Sequence, residues 1–230
     1  MGQPLTAQTQ NSKAGKRGGL ELTPLRVNEI FYSIQGESTY AGWPCIFVRL
    51  AGCNLRCTYC DTAYAFDQGR ERSIEEILAE VAHPEGGLVE VTGGEPLLQE
   101  GVYPLVEQLL EKGCQVLVET NGSLNVGRLD PRAIKILDLK CPDSGMSSQI
   151  CWDNLERLTS RDEIKFVLSS RQDYEWARQV IRDGSLAQRF TVLLSAALPQ
   201  LDPSQVARWI LEDRLPVRLQ LQLHKYLGIQ

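Results

Sequence analysis

The chain has 230 residues, 43% hydrophobic and 23% charged, a balance that suits one globular domain and excludes disordered, collagen-like and coiled-coil classes. Its formal net charge is −5; Lys13, Lys16 and Arg17 against Glu21 give residues 1–22 a charge of +2 and leave −7 on the rest, which argues against a nucleic-acid-binding surface. With no run of about 18 apolar residues and no apolar signal core, neither a membrane span nor an export signal is visible, and a cytoplasmic location is expected.

Residues 1–22 are rich in Gln, Gly, Ser, Thr and Lys, and cannot bury enough apolar surface to offset the entropy of ordering. They read as a disordered extension ahead of a single domain over residues 23–230. Strand-length β-rich runs follow at 46–50, 88–91, 116–119, 134–137, 164–168, 190–194 and 217–223. Between the first two, Ser73 and Glu76 make a capping box that opens a helix to about Ala82, since each side chain can satisfy the other's backbone N–H. Tyr103 to Lys112 reads as a second helix closed by Gly113. Further helices are expected at 172–182 and, with Pro203 in the first turn, at 204–213. This alternation predicts an α/β parallel sheet, open or curled, with functional groups at the C-terminal ends of its strands.

Seven cysteines in a reducing compartment are thiols or metal ligands rather than disulfides. Cys53, Cys57 and Cys60 form a C-x3-C-x2-C run directly after the first strong strand. Three thiolates this close can hold one cuboidal iron-sulfur cluster; an electron carrier takes four, so one iron is left for a small molecule. A structural zinc would want paired knuckles and a fourth ligand from His83, Cys45 or Cys141, none of which lies in a knuckle. Cys45, Cys114, Cys141 and Cys151 read as small buried hydrophobes. One βα unit later comes Thr92-Gly93-Gly94-Glu95-Pro96, whose glycines let the main chain approach a ligand closely and whose Glu95 adds a charged anchor.

These two motifs resemble the radical S-adenosylmethionine (SAM) superfamily. The stretch Glu29 to Ser38 (EIFYSIQGES), with Gly42-Trp43-Pro44, Phe47-Val48-Arg49, Cys60-Asp61-Thr62, Glu119-Thr120-Asn121-Gly122, Asp138 to Pro142 and Leu223 to Gly228, resembles the 7-carboxy-7-deazaguanine synthase family. The resemblance runs through the chain from about residue 25 onward. It implies a curled, partial (β/α)6-type barrel with reduced helices, and a 4Fe-4S cluster on Cys53, Cys57 and Cys60. It further implies SAM contacts from Tyr59, Cys60, Asp61, Gly94, Glu95, Asp138, Leu139 and Lys140, and Mg2+ on Thr62. The implied substrate is 6-carboxy-5,6,7,8-tetrahydropterin, read by Ile34, Gln35, Gly36, Glu37, Arg49, Thr92 and His224, with the terminal carboxylate of Gln230 folded into the site. Arg49 suits a carboxylate because its guanidinium donates two parallel hydrogen bonds.

Taken from the residues alone, Thr62 would be a turn hydroxyl, Gln230 a frayed end, and His83 a partner of a helix dipole. Asp138-Leu139-Lys140 departs from the Ser-Pro-Lys of many members, and Ser195-Ala196-Ala197-Leu198 matches no family pattern. Catalysis would rest on cofactor-held radical chemistry, with no side chain given a catalytic role. The product would be 7-carboxy-7-deazaguanine, formed with loss of ammonia on the way to deazapurines such as queuosine. The implied partners are a one-electron donor such as flavodoxin or ferredoxin and a second copy in a homodimer, with no nucleic acid and no membrane. The alternative is a glycyl-radical-enzyme activase, which shares the cluster and the Gly-Gly-Glu motif but has no need of the Gln35-Gly36-Glu37 and Arg49 set. A plain electron carrier would need a fourth cysteine at ligand spacing.

Overall fold

The computed structural model describes residues 23–81 and 87–229. The 1–22 extension, His83 and Gln230 lie outside the described residues. The order is β1 (Leu25–Ile34), β2 (Pro44–Leu50), β3 (Arg70–Arg72), α1 (Ile74–Glu80), β4 (Leu88–Gly93), α2 (Val102–Glu111), β5 (Gln115–Thr120), β6 (Ile134–Asp138) and β7 (Glu163–Leu168), followed by α3 (Arg171–Asp183), α4 (Leu186–Arg189), β8 (Thr191–Ala196), α5 (Pro203–Asp213), β9 (Arg218–Gln220) and α6 (Leu223–Leu227). The strands form one sheet in the order β3-β1-β2-β4-β5-β6-β7-β8-β9, parallel from β2 to β9, with β1 antiparallel to β2 and β3 antiparallel to β1. The sheet is open, a partial barrel whose end strands do not pair. No described helix is long and apolar enough to cross a membrane.

The local signals act as their chemistry dictates. Both halves of the Ser73/Glu76 capping box are formed at α1, Pro203 is the first residue of α5, and Gly113 takes a φ of +83° just past α2. Helices are indeed reduced: 3-10 turns, not α-helices, carry the crossovers from β5 to β6 and from β6 to β7. Three features differ from the sequence expectation. β1 is a ten-residue strand although its burial does not alternate, because pairing with β2 from Val27 to Ile34 holds it. β3 is three charged residues kept extended by the edge of β1. The run at 217–223 divides, a three-residue β9 giving way to α6.

The strands are apolar on both faces over much of their length, as a covered parallel sheet requires. The outer face (Val48, Val91, Val118, Phe166, Leu194) packs against Ile77, Leu105, Leu109, Tyr174 and Val206 of the helices. The inner face starts as a second small core of Cys45, Phe47, Leu88, Leu117, Ile134 and Ile136. Two residues further along each strand it turns polar, with Arg49, Glu90, Thr92, Glu119, Asp138 and Lys165. The segment after β1 bridges the two ends of the sheet. Leu223 N donates to Gly36 O at 3.0 Å, Ser38 N to Gln220 Oε1 at 2.8 Å, and Thr39 N to the Glu163 carboxylate at 3.2 Å.

Candidate active site

The cysteine loop leaves the end of β2 and the glycine motif leaves the end of the adjacent β4, so the two are clamped together by main-chain bonds. Gly94 N donates to Leu50 O at 3.2 Å and Glu95 N to Gly52 O at 2.8 Å. Gly93 has a φ of +149°, and a Cβ there would sit 2.2 Å from Leu50 O; one on Gly94 would sit 2.1 Å from Gly52 O. The close approach expected toward a ligand is thus first an approach to the cysteine loop itself, which no other residue permits. Glu95 needs correction as a ligand anchor. It lies fully buried off the cavity wall, where its carboxylate accepts from Asn121 N (2.7 Å), Thr120 Oγ1 (2.8 Å) and Leu97 N (2.9 Å). Burial outweighs those bonds and pushes its pKa up to about 7. Leu139 is likewise fully buried, in the helix-side core, and offers no side chain to the cavity.

A cavity of about 370 Å³ lies over the polar half of the inner face, large enough for a small organic ligand. Cys53, Cys57 and Cys60 form one wall. Burial raises the pKa of Cys57 and Cys60; Asp138 adds to it at Cys57 and Asp61 at Cys60, while Lys140 opposes at Cys57 and the Thr62 backbone N–H, then Lys140, at Cys60. Cys53 Sγ accepts from Leu55 N at 3.4 Å and lies 3.8 Å from Asn121 Nδ2, outer partners of the kind that tune a thiolate ligand. Among the described residues no three His, Cys, Asp or Glu side chains are grouped around a single ion position. A cuboid does not ask for that, because each thiolate meets its own iron. The donor set fits the cluster.

The same cavity is lined by a buried ionic layer. Lys165, on β7, bonds Glu37 Oε2 at 2.9 Å and the Glu119 carboxylate, and lies 3.7 Å from Asp138 Oδ2. Burial works against its charge, yet Glu119, Glu37 and Asp138 hold it well above the usual lysine range. Lys140 Nζ donates to Asp138 Oδ2 at 2.7 Å and is raised in the same way. Burial is the larger influence on Glu119, which is raised despite Lys165. Glu90, which accepts from Gln35 Nε2, is pushed far up by burial and the nearby Glu119 charge. Glu37 ends low, because Lys165 and the Gln222 amide outweigh its burial. Asp138 Oδ1 is buried with no partner, an acceptor left for a ligand's donor.

At the near end, Arg49 Nε donates to Glu29 Oε1 at 2.8 Å, Tyr64 OH donates to the same oxygen at 2.9 Å, and Phe31 stacks on Phe47 with centroids 4.9 Å apart. The Thr62 hydroxyl caps nothing; it donates to Asp61 Oδ1 at 3.1 Å. Lys225 reaches Asp61 Oδ2 at 2.7 Å and brings its pKa down to about 2 against the effect of burial. His224 stands against Gly36, where a Cβ would fall 2.2 Å from its Nδ1, and burial lowers its pKa despite Glu37.

The structure therefore gathers around one cavity Ile34, Gln35, Gly36, Glu37, Arg49, Thr92 and His224 with Tyr59, Cys60, Asp61, Thr62, Gly94, Asp138 and Lys140. Sequence reasoning passed over Glu90 and Lys165, although a charged residue flanked by apolar ones inside a strand was a usable signal in both LVEVTG and EIKFVL. Glu29, Tyr64 and Gln222 gave no comparable sign.

Known proteins bear on this arrangement. The family described as the Radical SAM superfamily matches residues 48–181. The 7-carboxy-7-deazaguanine synthase of Chlorobaculum tepidum is 47% identical, over 89% of this chain and 94% of its own. That of Koribacter versatilis is 46% identical, over 88% and 96%. QueE from Escherichia coli shares the fold with a TM-score of 0.71 at 22% identity, over 86% of this chain and 94% of its own. The chain belongs to the 7-carboxy-7-deazaguanine synthases, within the radical SAM superfamily.

Proposed function

We propose that the chain converts 6-carboxy-5,6,7,8-tetrahydropterin to 7-carboxy-7-deazaguanine with loss of ammonia. The observation that carries this reading is one cavity of about 370 Å³ with three cysteines on one wall and an arginine, acidic groups and amides on the others. Cys53, Cys57 and Cys60 would hold a 4Fe-4S cluster. SAM would lie along Tyr59, Asp61, Gly94, Asp138 and Lys140, with Asp138 Oδ1 accepting from it. When bound, cluster and SAM supply the one-electron chemistry that starts the reaction.

The chain's own residues bind, orient and exclude water. Arg49, steadied by Glu29, would face the substrate carboxylate with its terminal nitrogens. Glu37 and Glu119, with Gln35, Thr92 and His224, would read the pterin's ring edge, and Lys165 holds two of those carboxylates in place. Glu90, whose pKa burial raises, would give the Gln35 amide a fixed partner. Thr62 with Asp61 offers hard oxygens that would hold Mg2+, which would add positive charge for the substrate's carboxylate. A homodimer, a flavodoxin- or ferredoxin-type reductant and a cytoplasmic setting complete the reading; the seven unpaired thiols suit a reducing compartment.

Anaerobic reconstitution with iron and sulfide, then SAM, reductant and the carboxytetrahydropterin, tests it. A new deazapurine ultraviolet spectrum is expected; a brown protein that cleaves SAM and leaves the pterin unchanged would falsify the substrate assignment. Neither synthase relative reported above bears an activase name, and the polar cavity wall gives the activase reading no support.

A further inference from the structure

We infer that Gln220 is a positioning residue that sets the cavity's affinity for substrate by locking the Gln35-Gly36-Glu37-Ser38 loop; the inference rests on the proposed pterin reading. Gln220 ends β9, is 5% exposed and does not line the cavity. Its side-chain amide spans two consecutive residues of the loop. Oε1 accepts from Ser38 N at 2.8 Å and Nε2 donates to Glu37 Oε2 at 2.9 Å.

Two observations show that the loop needs such a clamp. Ser38 has a φ of +63°, left-handed backbone that a residue with a Cβ adopts at a cost and keeps when its surroundings over-determine it. The Glu37 carboxylate faces the cavity at a fixed angle through three donors: Lys165 Nζ and Gln220 Nε2 on one oxygen, Gln222 Nε2 on the other. Lys165 and Gln222 line the cavity, whereas Gln220 lies off it on β9, which pairs with β8 at Ser195. It alone of the three also grips the backbone. Removing it leaves the Ser38 N–H without this acceptor and takes one of three donors from Glu37, so substrate is met by a less ordered loop and carboxylate. That loss falls on ground-state binding and raises KM more than it lowers kcat.

The test uses the reconstituted full chain with Gln220→Leu, Glu37→Gln and the double variant. Steady-state kinetics are combined with direct titration of oxidised 6-carboxypterin, a fluorescent probe. Gln220→Leu is expected to weaken probe binding and raise KM about tenfold, with kcat reduced less than threefold. In the Glu37→Gln background the same change is expected to have a clearly smaller effect, because the carboxylate it positions is gone and only the Ser38 clamp remains to be lost. Equal effects in both backgrounds, a fall in kcat at unchanged KM, or wild-type affinity would each overturn the inference. If Gln220→Leu does not fold, Gln220→Glu replaces it on the same criteria, since it keeps the shape and sets a like charge against Glu37. Should the wild-type chain ignore the pterin altogether, the substrate reading fails first and the probe titration shows it separately.

Discussion

At the scale of single residues, Gly94 and Glu95 show how one motif divides its labour. Gly94 is glycine because the neighbouring loop's carbonyl stands where a Cβ would be, and Glu95 is acidic because three donors from β5 and the next turn converge on it. The pKa of Glu95 in the fold, about 7, lies above the ordinary 4.5, so the folded chain holds this proton more tightly than the unfolded one. The stability it contributes is full below about pH 4.5 and is lost as pH rises through 7, a change on the order of 3 kcal/mol at most. Urea unfolding should therefore show the wild-type chain losing stability relative to Glu95→Gln between pH 5 and pH 8. A wild-type chain that gains stability relative to Glu95→Gln over that range would contradict the assignment. The type and spacing of these two residues were legible in the sequence; their partners were not, since Gly52, Thr120 and Asn121 come from other strands' ends.

Elements with local signals formed where the sequence put them. The Ser73/Glu76 box, Pro203 and Gly113 act within four residues, so nothing distant could override them. Ser73→Ala should cost about 1 kcal/mol, read as a lower urea midpoint with an unchanged slope; a chain of unaltered stability would mean that packing, not the cap, secures α1. β1, β3 and α6 carried no such signal. β1 is extended because β2 offers it a ladder, and α6 starts after Gln222 because Gly36 takes the Leu223 N–H. Each is a consequence of a partner remote in sequence, which periodicity cannot reveal.

Across the whole molecule, side chains link the substrate loop to the cysteine loop. Glu37 accepts from Gln222, Gln222 Oε1 from Lys225 at 2.8 Å, and Lys225 bonds Asp61 beside Cys60. None of the α6 residues is buried, so this bridge shapes the cavity more than it stabilises the fold. A chain shortened after Gln222 should melt within a few degrees of the full chain and load iron normally, while its KM for the carboxytetrahydropterin rises at least tenfold. A collapse in melting temperature, or an unchanged KM, would show that the segment serves another purpose.

The chemistry of the cysteine wall was determined by the sequence alone, because three thiols at x3 and x2 spacing stay together in any loop short enough to hold them. Class and family followed from similarly local runs. Which charged side chains face the ligand was decided by the tertiary structure. Glu90, Glu119 and Lys165 lie on three different strands, and the register of the sheet brings them to one inner face. A strand's own residues fix which of them alternate, but its neighbours fix which side becomes the inside.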